Sequence, residues 1–319
     1  MGEGREATGG GGAAAASASD LLEALVDAGH LIPTGTPGLY GRGAAFDALL
    51  DRLEALFDRL TADDRAERLR FPPAIGRALF ERSGYLDSFP HLAGTVHAFD
   101  GDERGHRELL AALRAGRDWT GRQAPTGLVL TPAACYPVYP IFAARGPLPA
   151  TGGIADVASW CFRHEPSTEP TRLQLFRMRE QVRLGRPEQV LDFRQRWIER
   201  ARQLVDMLDL PARLELAHDP FFGRGGQIMA ASQRDQRLKF ELVVPIADPQ
   251  RPTACMSFNY HQDHFARSFG IRDFEGAPAH TACVGFGVER LAMALLRHHG
   301  LDPTCWPARI RAALEAASP

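Results

Sequence analysis

Lysine is almost missing from this chain: of its 37 Lys+Arg residues only Lys239 is lysine, and the other 36 are arginine. Arginine has taken nearly every basic position, so the one ammonium left is a candidate for a role that a planar guanidinium cannot fill; a leftover surface lysine fits the same count. Long apolar runs are also missing, and without about 18 consecutive apolar residues no membrane-spanning helix is expected. There is no basic excess. With 39 Asp+Glu and a net charge of -2, the balance argues against a nonspecific nucleic-acid binder. The 5 cysteines include no CxxC pair, which argues against a disulfide framework or a local zinc finger and suits a reducing, cytoplasmic compartment. Residues 1–19 lack the basic start and apolar core of a signal peptide and read as a disordered tail. Gly223-Arg224-Gly225-Gly226 lacks the spacing of a phosphate-binding loop.

What is present falls into two textures. Between Asp20 and Asp118, Phe46, Leu49, Leu50, Leu53, Leu56, Phe57 and Leu60 recur at helical spacing and predict one amphipathic helix of about four turns. A second helix is predicted over 103–115, and Gly84–Pro90 reads as a turn-rich loop. From Gly127 onward, short apolar runs punctuated by Pro and Gly predict strands at 128–130, 157–162, 175–178, 214–216, 240–244 and 254–258. A long helix over Pro187–Leu210 and another after Gly287 accompany them. The expectation is an α+β protein: a mainly helical N-terminal domain, 20–118, and a second domain, 119–319, around an antiparallel sheet flanked by helices.

Two stretches stand out chemically. Arg163 and Glu165, two apart on a predicted hairpin strand, point to one face and could grip an anion and an amine; taken alone, the plainer explanation is an exposed cross-strand ion pair. Gly285–Leu296 runs from a glycine-rich strand end into an apolar helix and puts Arg290 in the first turn, where the helix dipole disfavours a cation. Either a bound anion or a neighbouring carboxylate such as Glu289 would satisfy it.

Taken in order, these stretches resemble a known family. Phe162-Arg163-His164-Glu165 with its following strand is similar to motif 2 of class II aminoacyl-tRNA synthetases, and Gly285–Arg290 resembles motif 3. Between them, Lys239-Phe240-Glu241-Leu242, Cys255–Asn259 and Gln262-Asp263 are similar to the seryl-specific catalytic core. The resemblance implies the class II fold and ATP-dependent carboxylate activation. It implies ATP contacts from Arg163, Glu165, Arg172, Leu173, Lys239, Ala254, Cys255, Met256, Ser257 and Arg290, with Arg163, Arg290 and Lys239 catalytic and Mg²⁺ accompanying the nucleotide. Cys135, Glu180 and Cys283 resemble the Cys–Glu–Cys set of the zinc-dependent seryl enzymes, which implies one Zn²⁺ per subunit holding the substrate's α-amine. Two small buried cysteines are the plain alternative.

Residues 20–118 show one heptad-like stretch, so the long coiled-coil arm of a seryl enzyme is not expected. What remains resembles the amino acid:[carrier protein] ligases, truncated synthetase homologues that charge the phosphopantetheine thiol of a small acidic carrier protein. That implies a homodimer acting on ATP and a small amino acid, glycine foremost and alanine possible, with tRNA not expected. Arg194, Arg196, Arg200 and Arg202 on the predicted 187–210 helix could dock an acidic partner or simply form a solvated face. The rival readings are a reduced seryl-type aminoacyl-tRNA synthetase and a noncatalytic paralogue with a regulatory binding role.

Overall fold

The apolar spacing that begins at Phe46 closes into an 18-residue helix, Ala44–Thr61, whose buried face carries Phe46, Leu49, Leu50, Leu53, Leu56 and Phe57. The computed structural model describes residues 18–315. Most of the expected tail therefore lies outside the described residues, while Ala18 and Ser19 open the first helix. In chain order the helices are α1 (Ala18–Asp27), α2 (Ala44–Thr61), α3 (Arg77–Arg82), α4 (Tyr85–Ser88), α5 (Glu103–Arg114), α6 (Val138–Ala144), α7 (Pro187–Met207), α8 (Gly223–Asp235), α9 (His264–Phe269), α10 (Val288–His299) and α11 (Ala308–Glu315). The strands are β1 (Leu31–Thr36), β2 (Leu39–Arg42), β3 (Glu67–Arg70), β4 (Ala74–Gly76), β5 (Thr95–Phe99), β6 (Gln123–Leu130), β7 (Gly153–Phe162), β8 (Leu175–Gly185), β9 (Arg213–Leu216), β10 (Lys239–Val244), β11 (Thr253–Gln262) and β12 (His280–Gly287).

Seven strands form the main sheet in the order β3-β7-β8-β12-β11-β10-β9. Its pairings are antiparallel apart from β3 with β7, which run parallel. Strands β4, β6 and β5 make a smaller sheet, and β1 and β2 a hairpin. The five strands before residue 118 are only three to six residues long, too short to show a period of two beside a strong helical pattern. Although β3 and α2 precede the expected domain boundary, β3 pairs into the main sheet and α2 packs into its core.

Side-chain alternation divides the main sheet into two faces. On β12, Ala282, Val284 and Phe286 point into the core formed with α2, α7 and α10, whereas Cys283 belongs to the opposite cluster with Tyr139, Phe265 and Phe269. On β8, Val182 and Leu184 share the Cys283 side, and Arg179 turns toward α2. Arg179 is only 1% exposed and sits among Asp156, Glu54 and Asp58, with Gln181 donating to Asp156 at 2.8 Å. A buried cation is tolerable only with such partners, and this cluster pins α2 to the sheet.

Helix α7 is set by Pro187 in its first turn and by Gln189, whose side chain accepts from the Arg186 amide at 3.0 Å. Its four arginines are engaged locally: Arg194 donates to the Arg237 carbonyl at 2.8 Å, and Arg196, Arg200 and Arg202 pair with Asp192, Asp64 and Glu199. The free basic face suggested by the sequence is thus largely neutralised by the protein's own acids.

Candidate active site

Four strands present one residue each to a continuous row. Glu241, Ser257, Gly285 and Glu180 lie opposite one another across β10, β11, β12 and β8, and Lys239, Asn259 and Cys283 form the next row. All of these residues line one cavity of about 370 Å³. Gly285 makes the floor low. A Cβ there would stand 3.0 Å from the Ser257 hydroxyl oxygen and 3.5 Å from the Met178 sulfur.

One end of the cavity holds Cys135, Glu180 and Cys283, all buried, with ligand-type atoms within 4.8 Å of one another. Glu180 accepts a 2.8 Å hydrogen bond from the Ala134 amide, which fixes the segment carrying Cys135 against β8. Asn259 donates to the Cys283 sulfur at 3.3 Å, and His261 Nε2 lies 3.6 Å from the same sulfur. The hydrogen bond with Cys283, burial and the Glu180 charge all push the Cys135 thiol well up. For Cys283 the Cys135 hydrogen bond pulls down, but burial and Glu180 outweigh it. Two sulfurs and one carboxylate gathered in an apolar pocket repel as anions, and a dication would relieve that repulsion. The donor chemistry fits a tetrahedral metal with one open position.

The other end is cationic. Arg290 donates to two backbone carbonyls, Thr171 at 3.0 Å and Ala254 at 2.9 Å, and has no carboxylate partner among the described residues. Glu289 points away and accepts from the Arg177 amide at 2.9 Å, with Arg42 Nη1 at 3.7 Å. The neighbouring-carboxylate explanation for Arg290 therefore fails. Burial pushes the Arg290 guanidinium down, as expected for a cation without a counter-ion. Arg163 stacks over Phe176 at 5.5 Å, and its buried Nε has no hydrogen-bond partner.

The expected nucleotide residues divide by place. Arg163, Lys239, Ala254, Cys255, Met256, Ser257 and Arg290 line the main cavity. Glu165 and Leu173, with Arg163 and Arg290 again, line a smaller adjoining pocket of about 50 Å³. Arg172 lines neither and is exposed, donating to Glu169 at 3.1 Å with Glu165 3.9 Å away. Lys239 enters the cavity inside an ion cluster: its Nζ lies 2.5 Å from Asp219 and 3.0 Å from Glu241. Burial works against its charge, but those two carboxylates outweigh it and raise its pKa.

Sequence reasoning missed Asp219, Gln233, His261 and Tyr85, which also line the cavity. Gln233 on α8 clamps Asp219 twice, at 2.7 and 2.8 Å, and so anchors the acid that holds Lys239. Its helix follows a glycine-rich start that reads as loop. His261 was recoverable, since alternation along β11 puts it on the same face as Ser257 and Asn259. Burial pushes its imidazole down to about 3, which keeps it neutral.

No protein-family model matches the chain. Among solved structures, it is similar to the Methanopyrus kandleri seryl-tRNA synthetase in its complex with Aquifex aeolicus tRNASec, with a TM-score of 0.77 and 22% identity over 96% of this chain and 62% of that one. A Pyrococcus horikoshii seryl-tRNA synthetase complexed with ATP matches at a TM-score of 0.63 and 18% identity, over 89% of this chain and 59% of that one. These likenesses place the fold in the class II synthetase group. A type-2 serine–tRNA ligase of Methanococcus aeolicus is 29% identical over 86% of this chain but only 54% of its own length. Two proteins of Bradyrhizobium diazoefficiens are much nearer. Its amino acid–[acyl-carrier-protein] ligase 1 is 52% identical over 87% of this chain and 85% of its own, and ligase 2 is 50% identical over 94% and 89%. With such identity across nearly the whole of both relatives, the chain belongs to the amino acid–[acyl-carrier-protein] ligase family and is itself a ligase.

Proposed function

We propose that the protein activates a small amino acid, glycine foremost and alanine second, and passes it to the phosphopantetheine thiol of an acidic carrier protein. The observation that carries this reading is a single cavity with a Cys–Glu–Cys donor set at one end and, at the other, arginines that form no ion pair among the described residues, in a chain half identical to two such ligases. Cys135, Glu180 and Cys283 would hold zinc, one per subunit. When bound, zinc would supply an open Lewis-acid position for the substrate's α-amine. Asn259, beside Cys283, orients that sulfur.

At the opposite end Arg163 and Arg290 neutralise phosphoryl oxygens, Glu165 and Leu173 receive the adenine, and Ala254–Ser257 border the nucleoside. Mg²⁺ enters with ATP. A substrate carboxylate oxygen attacks the α-phosphorus, the bond to the bridging oxygen breaks, and pyrophosphate leaves. The carrier thiol then loses its proton to solvent and attacks the carbonyl carbon, the bond from that carbon to the phosphate oxygen breaks, and the thioester forms as AMP leaves. Both steps need positioning and charge neutralisation more than a general base, which suits a site built from arginine forks. Lys239, held between Asp219 and Glu241, acts on the nucleotide as part of that cluster.

Purified protein incubated with labelled glycine, ATP and either holo carrier protein or total tRNA tests the reading. Label is expected on the carrier thiol. Stable charging of tRNA with an unlabelled carrier would support the reduced seryl-type enzyme instead, and absence of amino-acid-dependent pyrophosphate exchange would support a noncatalytic paralogue. Sedimentation tests the expected homodimer.

A further inference from the structure

A folded protein seldom leaves a buried polar side-chain atom without a partner, so each such atom calls for an explanation. Among the described residues, eleven carry one, and only Tyr85 and Arg163 also line the main cavity. Tyr139 has the same orphaned hydroxyl but lies outside that cavity, packed on Phe265 in the core. The Tyr85 hydroxyl and Arg163 Nε are both donors, and their residues border the same space from different elements.

We propose that Tyr85 is a substrate-contacting residue, its hydroxyl donating to the anionic oxygen that Arg163 also binds, on either the substrate carboxylate or the α-phosphoryl group. This inference rests on the adenylate-forming reading above and adds a residue that precedes motif 2 entirely. The ring is held before any substrate arrives. It packs against Phe80 at 5.4 Å, Phe89 at 5.1 Å and Tyr136 at 6.1 Å between ring centres. Its backbone is fixed by Gly84 at φ 73° and by the Ser83 hydroxyl, which accepts from the Tyr85 amide at 3.3 Å. Tyr136, against which the Tyr85 ring packs, follows Cys135 of the metal-type end in the chain. Burial, partly opposed by the Arg163 charge, pushes the phenol up to about 12, so at neutral pH it remains a donor. A donor locked in place and desolvated in advance is what a developing oxyanion needs.

Tyr85→Phe in the full-length protein tests the proposal, because the ring contacts survive and only the hydroxyl is lost. Amino-acid-dependent pyrophosphate exchange and ATP titration are measured on wild type and variant together. The expected result is a 10- to 100-fold fall in kcat/KM with a melting temperature equal to or above wild type, since an orphaned buried hydroxyl has been removed. A rise confined to the glycine KM assigns the contact to the carboxylate. Weakened ATP binding assigns it to the α-phosphoryl group. A fall in kcat alone means a contact made only in the transition state. Exchange within twofold of wild type and unchanged ATP binding would overturn the proposal. If wild type itself shows no exchange, the adenylate-forming reading fails; titrations with ATP and with glycine then decide the Tyr85 contact, with both unchanged overturning it.

Discussion

At one end of the cavity Cys135, Glu180 and Cys283 meet among aromatic rings, each delivered by a different part of the chain; at the other, Arg163 lies over Phe176 and Arg290 holds two backbone carbonyls, and neither forms an ion pair among the described residues. The first end is a donor set for a cation and depends on strand register, since Glu180 faces Gly285 while Cys283 faces Val182 one row along. The second is cationic and depends on two short local segments. A site assembled this way can lose either half while keeping the other, and that separability is what substitutions can probe.

Cys135→Ser should have the largest effect. Metal content measured by plasma mass spectrometry is expected to collapse and exchange to fall by at least about a thousandfold, with ATP affinity nearly unchanged. Full exchange without metal would remove the metal role. Arg290→Ala is the mirror image: metal is retained, and kcat/KM for ATP falls about 100- to 1000-fold as a half-buried cationic donor is lost. If metal is lost as well, the two ends are not independent. Lys239→Arg tests the boundary between them. A planar fork cannot replace a compact ammonium clasped by Asp219 and Glu241, so adenylate formation measured in a single turnover should drop about tenfold. Near-normal formation would make the lysine structural. Arg172→Ala should do least, about a threefold rise in the ATP KM, because this side chain is exposed, lines neither pocket and already pairs with Glu169.

The same contrast governs what the sequence reveals. The arginine end is legible because its residues lie in contiguous signatures, Phe162–Glu165 and Gly285–Arg290, where each neighbour constrains the next. The thiol end is legible only through resemblance; no spacing rule links residues 135, 180 and 283. Tyr85 left no pattern at all, because Gly84–Pro90 reads as punctuation and its short helix α4 has no room for periodicity. The parallel strand β3 was hidden likewise by its four residues, even though Arg70 reaches Asp156 at 3.0 Å and joins the buried ion cluster. Helix α2 was the easiest element to foresee, since its stripe meets Phe286 and the α10 core in the way an amphipathic helix must.

The delivery of the three donors by separate parts of the chain also has a temporal consequence. No two of these three donors are near one another in the unfolded polypeptide, so this site does not exist until β8 and β12 have found their register and Ala134 has docked on Glu180. Loading would therefore follow folding and could not nucleate it. Apo and loaded forms would share one fold, chelator would silence the enzyme without unravelling it, and metal supply would set how much of the finished protein is active.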